Sequence, residues 1–167
     1  MKAHYIPYSS LNIFSKLIED YLKENKNLKP YISSFPSLDS INHFSKIKLK
    51  NYSRNNRSKL IEVLKKQYSK INSSKEVKNN LNLLTKNNSV TITTGHQLSL
   101  MTGPLYFIYK IVSVIKLSNQ LNSKKIGNNY IPIFWLATED HDFEEISSFY
   151  YKKKIISWRQ SQQGAVG

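Results

Sequence analysis

Ile131-Pro-Ile-Phe-Trp-Leu-Ala-Thr-Glu-Asp-His-Asp-Phe-Glu-Glu-Ile146 holds an apolar run of strand length that stops at Thr138 and is followed at once by acids. Glu139, Asp140, Asp142, Glu144 and Glu145 are the only acidic residues between positions 90 and 167. A basic chain that gathers all the acids of its second half at one strand end is expected to build a site there. In open α/β sheets, ligands bind beyond the carboxyl ends of the strands.

Working back from that strand, Gly127-Asn-Asn129 is a turn signal, and Leu105 to about Leu121 reads as a helix. Ile108, Ile111, Val112, Ile115 and Leu117 give this helix a broad apolar face. Pro104 suits the first helical position, where its fixed φ and missing N–H cost nothing. Before the helix, Val90-Thr-Ile-Thr-Thr94 is β-branched and reads as a buried strand, with Gly95-His96-Gln97 at its end. Strand, helix, strand is a βαβ unit, which implies parallel strands. Beyond the acids, Ser147–Tyr151 and Lys154–Trp158 read as a hairpin with a solvated tip at Lys152-Lys153. Two parallel strands and a hairpin make a poor complete sheet. The expectation is therefore the N-terminal part of a larger α/β protein.

Residues 1–88 read as a helical segment and 89–167 as the first part of the α/β core. In the helical segment, a helix over 9–24 is expected, capped by Ser9 or Ser10, with Ile13, Phe14, Leu17, Ile18, Tyr21 and Leu22 on its apolar face. Ser37 is expected to cap a short helix to about Lys46. Asn55–Lys70 reads as a longer helix with Leu60, Val63, Leu64 and Tyr68 inward. Ser74, with Glu76, opens another that ends near Lys86.

Of the 167 residues, 25 are Lys or Arg and 11 Asp or Glu, a net charge of +14. Residues 1–89 carry 17 basic and 6 acidic side chains, net +11, and residues 90–167 carry 8 and 5, net +3. Such a balance can attract nucleic acid, anionic lipid or anionic small molecules. It also follows from the abundance of Lys, Asn, Ile and Ser, and no Arg-rich or Lys/aromatic stripe stands out, so no nucleic-acid partner is expected. With no Cys, disulfides and thiolate metal sites are excluded within the chain. Met1-Lys-Ala-His-Tyr-Ile-Pro-Tyr8 lacks the apolar core of a signal peptide, and no uncharged apolar run nears the roughly 20 residues of a membrane helix. A cytoplasmic protein without membrane partners is the expectation.

Three groups of residues carry the candidate chemistry. Thr94, Gly95, His96 and Gln97 close the first strand. Gly95 permits close approach of a ligand or a positive φ, and His96 and Gln97 offer imidazole and amide to a phosphate, a carboxylate or a developing charge. The plainer reading is a strand-to-loop turn. Gly103, Tyr106 and Lys110 flank the start of the helix, whose free N–H groups favour anions; Lys110 either meets a phosphate or reaches solvent, and Tyr109 is read as packing. Glu139, Asp140, His141, Asp142 and Glu145 form the third group. Asp140, His141 and Asp142 can bind a divalent metal, position a substrate amine, or serve as general acid and base. If Asp142–Ile146 is helical, His141 and Glu145 share a face. The plainer reading is a helix N-terminus whose dipole favours acids. No zinc or calcium ligand spacing is present, so no metal is expected. Trp135 is expected in the core, and His4 and His43 receive no role.

These motifs resemble a known family. Thr-Thr-Gly-His-Gln (93–97), Thr-Gly-Pro-Leu-Tyr-Phe-Ile-Tyr-Lys (102–110), Pro-Ile-Phe-Trp-Leu-Ala-Thr-Glu-Asp-His-Asp-Phe-Glu-Glu-Ile (132–146) and Gly-Ala-Val-Gly (164–167) look like the cysteine-adding enzymes of bacillithiol biosynthesis. The resemblance implies a cytoplasmic bacterial ligase that joins the carboxyl of L-cysteine to the amine of glucosaminyl malate, the last step to bacillithiol. It implies a Rossmann-like core similar to that of class I aminoacyl-tRNA synthetases, incomplete here, and a C-terminal coiled coil through which the full-length form pairs as a homodimer. By the same analogy Gly95-His96-Gln97 takes the place of the synthetases' His-x-Gly-His signature, from which it departs, and ATP is the implied activating cosubstrate. A piece holding only the front of such an enzyme is expected to be inactive alone. A metal-dependent phosphohydrolase using Glu139–Asp142, a nucleic-acid-binding module and a purely structural role are the rival classes.

Overall fold

A computed structural model describes residues 4–99, 103–161 and 163–166. The chain packs as two compact units, residues 1–46 and 47–167. In the first, a 3₁₀ turn at Tyr8–Ser10 precedes α1 (Lys16–Leu22), and a second turn covers Lys26–Leu28. The single helix expected over 9–24 is thus split. Asn12 takes a left-handed conformation (φ 51°), which a helix cannot include, and Ser15 rather than Ser9 or Ser10 caps α1 by accepting the Ile18 N–H. The expected apolar face is exposed at Ile13, Leu17 and Leu22. Local packing is aromatic: Tyr8 meets Phe14 edge-on, with centroids 4.3 Å apart, and Tyr21 meets Phe35 at 6.0 Å. Ser37 does open α2 (Leu38–Asn51), its hydroxyl accepting the Ser40 N–H while Ser40 returns the bond, and the helix runs five residues past the expected end.

In the second unit, α3 (Arg54–Tyr68) and α4 (Lys75–Leu84, capped by Ser74) pack on each other. On α3 the half-buried positions are Arg57, Ile61 and Leu64, whereas Val63, expected inward, is exposed. β1 (Ser89–His96) and β2 (Asn129–Leu136) pair in parallel from Ser89↔Asn129 to His96↔Leu136, joined through α5 (Leu105–Ser123). This is the expected βαβ unit. Both α4 and α5 pack on the two strands. Phe107 of α5 meets Phe134 edge-on at 5.0 Å. Side chains alternate along a strand, so Ile131, Ile133 and Trp135 turn to the other face, in a groove they share with Leu64 and Tyr68 of α3 and Leu81 of α4.

Among the described residues the core is small: Leu84, Val114, Leu121, Tyr130, Ile131 and Ile146 are its buried apolar residues. On α5 the buried stripe is Val114, Ser118 and Leu121, in which the small Ser118 lets the helix lie close to the sheet. Ile108, Val112 and Ile115, expected to face the sheet, are exposed. α5 is apolar on more than one side, so periodicity alone does not select the face that packs.

Two links tie the strands to the helices. Arg57 donates to the carbonyls of Leu84 (3.0 Å) and Ser89 (3.1 Å) while stacking on Tyr52. The Asn122 amide brackets Tyr130, accepting its N–H at 2.9 Å and donating to its C=O at 2.8 Å. The bonds Asn129 N–H to Asn88 O and Ala137 N–H to His96 O show that the backbone groups of odd-numbered residues of β2 point to β1. The backbone groups of Tyr130 therefore point away from β1, and so do those of Pro132, which has no N–H.

After β2, α6 (Phe143–Ile146) is a single turn. β3 (Ser148–Tyr151) and β4 (Lys154–Ser157) form a separate antiparallel hairpin. Its tip, Lys152-Lys153, has positive φ at both residues (45° and 64°), the geometry of a type I′ turn that matches strand twist. No helix of the described residues is long and apolar enough to cross a membrane.

Candidate functional site

The carboxyl ends of β1 and β2 and the start of α5 come together, because parallel pairing brings Gly95 level with Trp135 and His96 level with Leu136. A Cβ on Gly95 would stand 2.9 Å from the Trp135 carbonyl oxygen and 3.0 Å from its Cβ. The glycine therefore makes room for β2, not for a ligand, and no positive φ is involved. Thr94 is half-buried beside Phe134.

His96 is held at both ring nitrogens. Nδ1 lies 3.0 Å from the Gln97 carbonyl oxygen and Nε2 lies 2.9 Å from the Tyr106 hydroxyl. A carbonyl oxygen only accepts, so Nδ1 carries the proton; in the neutral ring Nε2 then accepts from the phenol. Lys110 donates to the Gly95 carbonyl at 3.2 Å and stands 5.3 Å over the Tyr106 ring. The motif around the start of α5 and the strand-end motif thus meet through Tyr106 and Lys110, one helical turn apart. Tyr109 is exposed, without the packing role expected of it. Gly103 has φ +66°, and a Cβ there would meet the Ser99 Cβ at 2.7 Å, so both conformation and space require glycine. Pro104 occupies the N-cap of α5, and no side chain caps the helix. Thr102 lies outside the described residues.

Gln97 is 5 % exposed and turns toward the other strand end. Its side chain lies near enough to the Asp140 carboxyl to favour the ionised acid. The Asp142 N–H donates to the same carboxyl at 3.0 Å. The Asp142 bond first and Gln97 second hold the Asp140 acid below its ordinary range. The Asp140 carbonyl accepts the Val166 N–H at 2.8 Å, a link across 26 residues with no signal in the sequence. Gln97 Oε1 is buried without a hydrogen-bond partner among the described residues. Such an acceptor costs about 1–3 kcal/mol until a donor meets it.

The other acids do structural work. Asp142 is the N-cap of α6 and accepts the Glu145 N–H at 3.2 Å. Because the cap is Asp142, His141 stands before the helix, and the shared face expected for His141 and Glu145 does not form. His141 is exposed beside Asp140, and Glu145 is exposed in the first turn of α6. Glu139 accepts from Trp135 Nε1 at 3.1 Å. Trp135, expected in the core, is 57 % exposed, since it lies where β2 leaves the shelter of α4. Among the described residues no three His, Asp or Glu side chains converge as metal ligands.

The description of one protein family fits the whole length of this chain. A model of the bacillithiol biosynthesis BshC N-terminal Rossmann-like domain matches residues 1–167. The chain belongs to the BshC family. The incomplete parallel sheet described above is therefore the front of a Rossmann-like core. BshC relatives match it closely. A Flavobacterium johnsoniae protein is 46 % identical over all of this chain and 32 % of its own length. One from Christiangramia forsetii is 43 % identical over 99 % of this chain and 31 % of its own. One from Cytophaga hutchinsonii is 41 % identical over 92 % and 29 %. Each carries the name "Putative cysteine ligase BshC". The chain spans about a third of the length of the relatives it matches.

Proposed function

We propose that the full-length protein containing this chain is the cysteine ligase of bacillithiol biosynthesis. It joins the carboxyl of L-cysteine to the amine of glucosaminyl malate, the last step of the pathway, in the cytoplasm and as a homodimer. The observation that carries this reading is the match along the whole chain to proteins named as cysteine ligases. The site supports it, because its groups suit amide formation at the carboxyl ends of parallel strands.

Amide formation needs an activated carboxyl and a neutral amine. The uncapped N-terminus of α5 and the Lys110 ammonium are the donors suited to anionic oxygen, whether on a phosphate or on a malyl carboxylate. ATP, whose phosphates this donor set fits, would supply the activation of the carboxyl. Asp140, held ionised by Asp142 and Gln97, suits an ammonium group waiting to lose its proton. His141, exposed next to it, can hold or pass that proton. A hydrolase reading would need converging metal ligands at Glu139–Asp142, and these acids instead bond Trp135 and backbone N–H groups.

The test is complementation of a bacillithiol-deficient strain lacking its cysteine-adding enzyme, with cellular thiol read by mass spectrometry. Restoration by the full-length protein, and not by residues 1–167 alone, supports the reading. A soluble, folded full-length protein that restores nothing overturns it.

A further inference from the structure

We infer that Tyr106 and His96 form a proton relay in which the phenol meets the acceptor amine and the imidazole stands behind it. This rests on the ligase reading and assigns roles within the same site. Three observations carry it. First, His96 has no ring nitrogen open to a ligand: Nδ1–H is committed to the Gln97 carbonyl and Nε2 to the Tyr106 hydroxyl. A substrate therefore reaches His96 only through Tyr106. Second, Tyr106 is 47 % exposed, so the remaining lone pairs of its oxygen are open to a donor. Third, the pair is fixed from both sides. Phe107 packs edge-on against His96 at 5.6 Å, and Lys110, anchored on the Gly95 carbonyl, lies over the Tyr106 ring.

The step balances as follows. The neutral amine adds to a carbonyl activated as a mixed anhydride with phosphate, and a C–N bond forms. The nitrogen becomes positive and gives its proton to Tyr106 Oη, while the phenolic proton moves to His96 Nε2. The C–O bond to the phosphoryl group breaks, and its electron pair leaves with that oxygen. His96 ends as an imidazolium whose Nδ1–H still points at the Gln97 carbonyl, so no hydrogen bond has to be rebuilt on that side. His96 returns to the neutral ring when its Nε2 proton passes back to Tyr106 Oη and the phenol releases its other proton to solvent.

The test uses the purified full-length protein, with wild type, Tyr106→Phe, His96→Asn and the double variant. Phenylalanine keeps the ring against Lys110 and removes only the relaying oxygen. Product thiol is followed by mass spectrometry. Tyr106→Phe is expected to lower kcat by about 10²-fold with KM for either substrate little changed, and the double variant is expected to be no worse than the more damaged single one. Hydroxylamine, a nucleophile of low basicity, then replaces the amine. Hydroxamate formation by Tyr106→Phe is expected to stay near the wild-type rate, because that nitrogen sheds its proton without help. A wild-type kcat in Tyr106→Phe overturns the relay, and so does an equal loss with amine and hydroxylamine, which would place the residue in folding or activation. A folded wild type that makes no thiol instead overturns the ligase reading beneath it.

Discussion

The Asp140 carboxylate accepts the backbone N–H of Asp142 at 3.0 Å, folding the segment between β2 and α6 onto itself. Because the fold favours the ionised acid, its contribution to stability is complete above the unfolded value of 3.8 and is lost as the pH falls through the lower folded value. Asp140→Asn is therefore expected to destabilise the protein at pH 6–8, with the difference from wild type shrinking below about pH 4. Thermal unfolding of both proteins across that range checks it; a gap that widens on acidification would reverse the sign.

Asp142 caps a helix of only four residues, which has little else to hold it. Replacing it with Ala is expected to cost about 1 kcal/mol, and replacing it with Ser much less. If catalysis by the full-length enzyme falls equally in both variants, the carboxylate has a chemical role beyond capping.

Gly95→Ala places a methyl group against the Trp135 backbone, which cannot swing aside as a side-chain tip would. The strands must part at the site, at a cost of about 1–3 kcal/mol. Its distinguishing sign is hydrogen-exchange protection lost first at the β1–β2 end nearest His96, with the Ser89–Asn129 end unaffected.

Arg57 bridges two carbonyls that belong to α4 and β1. Lysine carries one terminal nitrogen and cannot hold both with the planar fork of the guanidinium. Arg57→Lys is expected to lower the unfolding free energy by about 1–2 kcal/mol at unchanged net charge. Chemical denaturation at two salt concentrations separates this from a simple charge effect.

Much of the second unit was legible because its signals are local. β-branched Val90–Thr94, the Gly103-Pro104 break and the apolar run from Ile131 fix β1, α5 and β2 in order, and a crossover helix leaves the strands parallel. The hairpin around Lys152-Lys153 followed from the same grammar. What was illegible depends on partners distant in sequence. Ser9, Ser10 and Ser15 are equally good caps by type, and only the left-handed Asn12 selects the last. The packing face of α5 was ambiguous because Ile108, Val112 and Ile115 are as apolar as the stripe that is buried. At the site, composition pointed to the end of β2, which lies level with the end of β1. That Gln97 would turn inward to Asp140, and that Tyr106 would close off His96, depends on distances no spacing encodes.

The treatment of β2's outer flank reaches beyond this fold. A stray strand settling alongside it would meet, at Tyr130, backbone groups already taken by Asn122 and, two residues on, a proline with nothing to donate. Edges left open in this way are where foreign chains add and sheets grow into aggregates. Half of this flank is thus closed to templated growth by one amide and one imino acid, without covering it by another element. The same closure fixes where a legitimate neighbour can join β2: toward Phe134 and Leu136, at the end that carries the site.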